Sequence, residues 1–187
     1  MKKKDDIRVL KTKKKLYDGL LFLMKDNAFE DIKVSDICIA SKINRSTFYD
    51  HFSDKYELLS SLIKDLEIEL ASSLDDNNCY KSEKEYYMKM IELLFDHISN
   101  NITTYTAIVK NNNNTIASDI FRNTLIADVK KHINKNSNTN YIPIDIVTIF
   151  YVSAVVNVCI YYISSNNNYS KDDILSYINK LLPDSFY

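Results

Sequence analysis

Between Ser35 and Lys55 the chain reads S-D-I-C-I-A-S-K-I-N-R-S-T-F-Y-D-H-F-S-D-K. Arg45, Ser46, Thr47 and Tyr49 crowd a guanidinium, two hydroxyls and a phenol together. Ser35, His51 and Lys55 flank them with further donors, and Asp50 adds an acceptor. Such a set is suited to multidentate hydrogen bonding with phosphates and base edges. Acid–base catalysis is the competing chemistry, because Asp50 and His51 are neighbours. No Ser or Cys nucleophile arrangement accompanies them, so the chain is not expected to be an enzyme. Cys38, Cys79 and Cys159 are far apart, and His97 and His132 have no carboxylate or Cys at ligand spacing. No metal and no cofactor are expected, and the cysteines read as reduced cytosolic thiols.

These donors need a scaffold. The chain has 187 residues with only Gly 1 and Pro 2. Sheet proteins with many tight turns need more of both residues, so an all-α fold with polar, Asn-rich connections is expected. The formal net charge is -1, yet it is unevenly spread. Residues 1–58 hold 13 basic against 10 acidic side chains, leaving 11 against 15 for the remainder. A basic head on an acidic body fits a polyanion partner at one end; a solvated lysine tail over residues 1–15 fits as well. No apolar signal stretch stands at the N-terminus, and a cytoplasmic location is expected.

Periodicity gives about nine helices. The first runs from about Thr12, as N-cap, to Asp26, with Leu16, Leu20, Leu23 and Met24 as its stripe; residues 1–9 read as frayed. Gly19, inside it, implies a close helix crossing. Ser35 is expected to cap a short second helix broken at Lys42. Asn44 is expected to cap a third, Arg45 to about Phe52, with Phe48 and Phe52 facing the core. Asp54 and Glu57 have capping-box spacing at the start of a fourth, which continues to about Leu74. Further helices are expected at about 82–99, 102–111, 115–134, Pro143–Ser164 and Ser170–Leu182, with loops at Asp75–Lys81, Asn111–Asn114 and Asn134–Tyr141. Two short helices joined by a tight turn and followed by a long one are the layout of a helix-turn-helix.

Residues Thr12–Leu59 resemble the DNA-binding region of the TetR/AcrR family of transcriptional regulators. The resemblance rests on Thr12-Lys13, Phe29, the Val34-x-x-Ile37 pair, Thr47-Phe48-Tyr49, His51-Phe52 and Lys55. It covers about a quarter of the chain. Two positions depart from the pattern: Lys42 stands where the family has glycine in the turn, and Ser46 where it often has glycine before the threonine. The resemblance implies an all-α protein, with a DNA-binding domain over residues 1–58 and a ligand-binding and dimerisation bundle over 59–187. It implies phosphate contacts from Ser35, Thr47, Tyr49, His51 and Lys55, the last aided by backbone N–H groups at the start of the fourth helix. Arg45 is the expected base reader, with Ser46 able to reach a base or phosphate. Asp50 could hold Arg45 or accept from a cytosine amine.

In the second half, Tyr86, Met90 and Leu94 are spaced as a helical core; the resemblance adds a small-molecule effector, of unknown identity, between the helices. Ile146–Ile163 contains no charge. It reads as a helix buried on one side in its own domain and on the other against a second copy, with the last helix completing a homodimer interface. A membrane span is the lesser reading, since Thr148, Ser153 and Asn157 interrupt the stretch and no Lys or Arg anchors flank it. The whole reads as a regulator, expected to repress, that binds a near-palindromic double-stranded DNA operator as a homodimer and is released by the effector. The alternative is a helical co-activator or partner-binding protein of the same fold without DNA control.

Overall fold

A computed structural model describes residues 2–74, 82–112, 116–134, 142–165 and 168–183, and the side chains of these except 2–6, 83 and 131–134. Cys79, the side chain of His132, and the expected connections at 75–81, 113–114 and 135–141 lie outside that set. Among the described residues there are nine α-helices and no strand: α1 (Lys2–Met24), α2 (Val34–Ser41), α3 (Arg45–Tyr49), α4 (Lys55–Ser72), α5 (Glu83–Asn100), α6 (Ile102–Asn112), α7 (Ile116–Asn134), α8 (Ile144–Ser164) and α9 (Lys171–Leu181). A single 3-10 turn, Phe29–Asp31, lies between α1 and α2.

The chain divides into two compact units. The first joins Met1–Lys64 to Ala107–Phe121, and the second joins Asp65–Thr106 to Arg122–Tyr187. A boundary at residue 58 falls inside α4, which is continuous from Lys55 to Ser72.

The first unit is built around Leu16, Leu20, Phe29, Ile37, Phe48 and Leu58, all fully buried. The stripe of α1 supplies the leucines, and Phe48 and Phe52 of the third helical segment pack 6.0 Å apart. Two local features set how α2 and α3 sit. A Cβ added to Gly19 would lie 3.0 Å from both Ser41 Cβ and Ser41 N and 3.3 Å from Ile37 O, so α1 and α2 cross with no room for a methyl group. Lys42 then turns the chain with φ 56 and ψ 40, left-handed backbone, and its N–H donates to Ile39 O at 3.2 Å. A lysine at that angle carries steric strain that glycine would not.

Several local expectations are corrected. α1 begins at Lys2 and not near Thr12; Thr12 lies inside it, its Oγ1 donating to Arg8 O at 3.0 Å. Lys33, not Ser35, occupies the N-cap of α2, and its N–H donates to the Asp36 carboxylate at 2.9 Å. Asn44 does hold the N-cap position of α3, but its side chain makes no capping bond. Asn112, expected in a loop, and Asn111, where the expected helix met that loop, form the last turn of α6.

In the second unit, Phe95 of α5 packs against Tyr162 of α8 at 5.3 Å between ring centroids, and Ser99 and Tyr162 share a hydrogen bond of 3.2 Å. Asp96 pairs with Lys171, tying α9 to α5. Pro143 is the N-cap of α8, while Ser170 caps α9 and accepts from Asp173 N at 3.1 Å. Only one side of α8 is covered: Val147, Val156, Cys159 and Ile163 are buried, whereas Ile146, Ile149 and Phe150 are exposed. By length and composition α8 could cross a membrane, and its interrupted, one-sided burial equally suits a bundle helix. Burial pushes the Cys159 thiol up to about 12, which keeps it protonated and unreactive.

Gly19→Ala tests the crossing. The gain in helix propensity is at most about 1 kcal/mol, and overpacking against Ser41 costs about 1–3 kcal/mol. The variant should therefore lose stability in urea denaturation, where the same change in an open helix face would add it.

Candidate nucleic-acid interface

The short helix α3 presents one face to solvent and one to the core. Phe48 is fully buried, while Arg45, Ser46, Tyr49 and Asp50 are exposed and Thr47 and His51 are half-buried. Helical periodicity explains the division, since Phe48 packs inward and the residues on either side of it turn away. Tyr49 is held by an edge-on contact with Phe48, 5.4 Å between centroids, yet keeps 51% of its surface exposed. This arrangement leaves half of a well-anchored ring in solvent.

Arg45 lies over the Tyr49 ring at 5.9 Å, and its Nη2 sits 3.5 Å from the Tyr49 hydroxyl. The neighbour of the guanidinium is thus Tyr49, one turn on, and no Asp50 contact holds it in this conformation. The pairing keeps the guanidinium extended along the exposed face of α3 without consuming its fork of donors. The Cys38 thiol behind it is raised by burial and drawn part of the way back by the Arg45 charge. A shallow, open depression runs between α2 and the start of α3, lined by Ser35, Ile39, Lys42, Asn44 and Arg45 among others. Ile39 is 77% exposed there. Sequence reasoning did not nominate Ile39, Lys42 or Asn44; the signal was the spacing of Ser35, Ile39 and Lys42, one per turn along the outer face of α2.

Lys55 is a different case. Its Nζ donates to Phe29 O at 2.8 Å, Glu30 O at 2.7 Å and Ile32 O at 2.7 Å, and it rests 4.9 Å from the Phe29 ring centroid. An ammonium has three donors, and all three are spent on this turn. Burial lowers its pKa, with Glu30 and Asp31 opposing the shift. The start of α4 is also occupied: Asp54 Oδ1 accepts from Tyr56 N at 2.9 Å and Glu57 N at 2.8 Å. Glu57 Oε2 in turn accepts from Ser53 N and Ser53 Oγ, both at 2.7 Å, which holds the Glu57 carboxyl below its usual range. Of the box expected from the Asp54 and Glu57 spacing, the Asp54 half forms, whereas the Glu57 carboxylate accepts from Ser53 N–H and not from Asp54 N–H. Asp54 fills donors that the sequence reading had offered to a phosphate, and Lys55 staples the head together instead of reaching outward. Ser35 is half-buried on the first turn of α2 and donates to Asp36 Oδ1 at 3.3 Å, a weak bond that leaves it near the surface.

A helix-turn-helix whose second helix carries an exposed Arg, Ser and Tyr beside a half-buried Thr defines a DNA-binding transcription regulator. Residues 16–62 match the family described as "Bacterial regulatory proteins, tetR family", and residues 85–184 match "Transcriptional regulator C-terminal region". The chain belongs to the TetR family of bacterial transcription regulators. The chain is 41% identical over 58 residues to the HTH-type dhaKLM operon transcriptional activator DhaS of Lactococcus lactis, a match spanning 31% of this chain and 29% of DhaS. It is 33% identical over 91 residues to the HTH-type regulator YxbF of Bacillus subtilis, spanning 48% of this chain and 23% of YxbF. The chain thus matches under a third of the length of either relative. A solved TetR regulator from Streptococcus agalactiae shares the fold across 97% of this chain and 98% of its own, at 22% identity and a TM-score of 0.59. A TetR-family structure from Syntrophomonas wolfei does so across 91% and 92%, at 16% identity and a TM-score of 0.61.

Salt dependence separates a staple from a phosphate contact. Each phosphate contact contributes a slope of about 0.9 in log affinity against log salt. Lys55→Met should lower stability by roughly 1–3 kcal/mol in urea denaturation, and leave the salt slope of DNA binding at the wild-type value.

Proposed function

We propose that this protein binds a near-palindromic operator as a homodimer and controls transcription from the adjoining promoter. The observation that carries the reading is the exposed face of α3, where Arg45 is held over Tyr49 with its donors directed away from the core. Arg45 reads a guanine edge, the bidentate contact its fork geometry favours. Tyr49, Thr47 and Ser46 bind phosphates or base edges beside it, His51 and Ser35 contact flanking phosphates, and Asp50 accepts from a cytosine amine. The basic residues of the first fifteen positions add sequence-independent attraction.

The uncovered side of α8 supports dimerisation in the second half. Ile146, Ile149 and Phe150 form one stripe, with Phe150 66% exposed, and Leu181 of α9 is 77% exposed. Apolar surface of this size is costly to leave in water. A second copy covers it by an isologous contact that brings two recognition helices to successive major grooves, about 34–36 Å apart. With its partner in place the molecule is a soluble cytoplasmic protein, and α8 is an interface helix and not a span.

Operator occupancy blocks transcription where the site overlaps the promoter. The relative DhaS carries the name of an activator, so operator position, and not the head itself, sets the sign of control. A small effector bound in the 59–187 half favours head separations that miss one groove, and it acts only through unequal affinity for the two states.

In-vitro selection of bound duplexes, followed by fluorescence anisotropy at two salt concentrations, tests the DNA reading. Wild type should enrich an inverted repeat. Arg45→Ala should lose about 1–3 kcal/mol on the selected sequence and relax preference at one base pair, and Tyr49→Ala, which removes a donor and the ring beneath Arg45, should weaken binding and relax preference at the same base pair. No enriched sequence, with equal weak binding throughout, would sink the proposal. For the dimer, Phe150→Asp should sediment as a monomer and bind the full repeat no better than a half-site; an unchanged dimer would place the interface elsewhere.

A further inference from the structure

Asn112 is buried, at 5% exposure, at the end of α6. Its Oδ1 accepts from Phe29 N at 2.7 Å. Its Nδ2 lies 3.1 Å from Met24 O, 3.4 Å from Asn27 O and 3.0 Å from Ile108 O. The backbone N–H of Phe29 needs an acceptor and the carbonyls around Nδ2 accept its two hydrogens, so only one orientation of the amide suits both ends. Beside it Asn111 Nδ2 donates to Lys25 O at 2.6 Å, and Glu30 Oε1 accepts from Ile116 N at 2.8 Å. All of these atoms belong to the first compact unit.

The segment so held, 24–32, joins α1 to α2. Lys55 grips the same segment from α4 through the carbonyls of Phe29, Glu30 and Ile32. From there the chain enters α2, pinned to α1 at Gly19, and then α3. We infer that Asn112 is a positioning residue for operator binding: far along the chain from the helix-turn-helix, it latches the turn that sets where α2 and α3 stand. The inference rests on the DNA-binding reading above. An aliphatic residue at this position would leave the Phe29 N–H and the Met24 carbonyl without partners in a buried place, a loss that a single-residue change cannot refill.

The test uses the full-length protein, with the duplex that wild type selects in vitro and a scrambled duplex of equal length. Asn112→Ala should fold, and well below its melting temperature bind the selected duplex about tenfold more weakly, the factor one lost buried hydrogen bond supplies. Its affinity for the scrambled duplex and its salt slope should match wild type, because no phosphate contact has gone. Amide exchange should quicken at Phe29 and along α2. Asn112→Asp separates bonding from packing: it keeps the volume and the acceptor for Phe29 N but sets a carboxylate against three carbonyls. A hydrogen-bonded latch makes it weaker than Asn112→Ala, whereas a packing role makes it stronger and overturns the inference. Equal affinity of Asn112→Ala and wild type for the selected duplex overturns it too, as does an equal fall on both duplexes. Asn112→Ser guards against misfolding, and if neither Asn112→Ala nor Asn112→Ser folds, Asn112 is a folding determinant only and the latch is overturned. A wild type that selects no sequence overturns the DNA-binding reading itself, a result distinguishable from all the others.

Discussion

The head of this regulator depends on how one short turn of backbone is satisfied. Residues 24–32 leave the end of α1, make a single 3-10 turn and enter α2, so their carbonyls are not all used by regular structure. Lys55 takes three of them with one ammonium, and the amides of Asn111 and Asn112 reach three more. Buried carbonyls without donors are costly, and here the donors come from α4 and α6, remote in sequence. The turn is therefore a junction of four helices, and the placement of α2 and α3 follows from it.

That placement explains why the exposed face of α3 is so sparse in contacts. The scaffold carries the rigidity: Gly19 admits α2 close against α1, Lys42 accepts left-handed backbone to turn the corner, and Phe48 anchors the recognition helix. Arg45 and Tyr49 are then organised mainly by each other, an arrangement that holds a guanidinium in an extended pose at little entropic cost while leaving its donors for a ligand. The positive charge of Lys42 borders the same depression as Arg45.

In the first unit Leu16, Leu20 and Ile37 at the α1–α2 crossing are fully buried, although Phe22 and Ile39 on the same helices are exposed. In the second, α8 buries one side and leaves Ile146, Ile149 and Phe150 in solvent. A helix apolar all round gains from burial on every side, and one chain supplies only half of the cover. The same sequence property that makes α8 long and apolar enough for a bilayer makes it fit for association with another copy.

Much of this was legible in the residues themselves. The family pattern from Thr12 to Leu59, the helix starts at Asp54, Ser82, Pro143 and Ser170 and the close crossing at Gly19 are local or periodic signals, and a chain carries those in its order. The beginning of α1 was misplaced because a run of lysines carries no apolar stripe to mark a helix. The role of Lys55 and the helical state of Asn112 were beyond reach for another reason. Asparagine is a poor helix former and a lysine at a helix start looks like an anion ligand, and only tertiary partners reverse both expectations. Those partners are backbone carbonyls more than twenty residues away for Lys55 and more than eighty for Asn112. Sequence order thus determined the elements and the face of α3. Folding decided which polar side chains would be consumed within the head and which would stay exposed on α3, because hydrogen-bond satisfaction in a buried turn is settled by what packs against it.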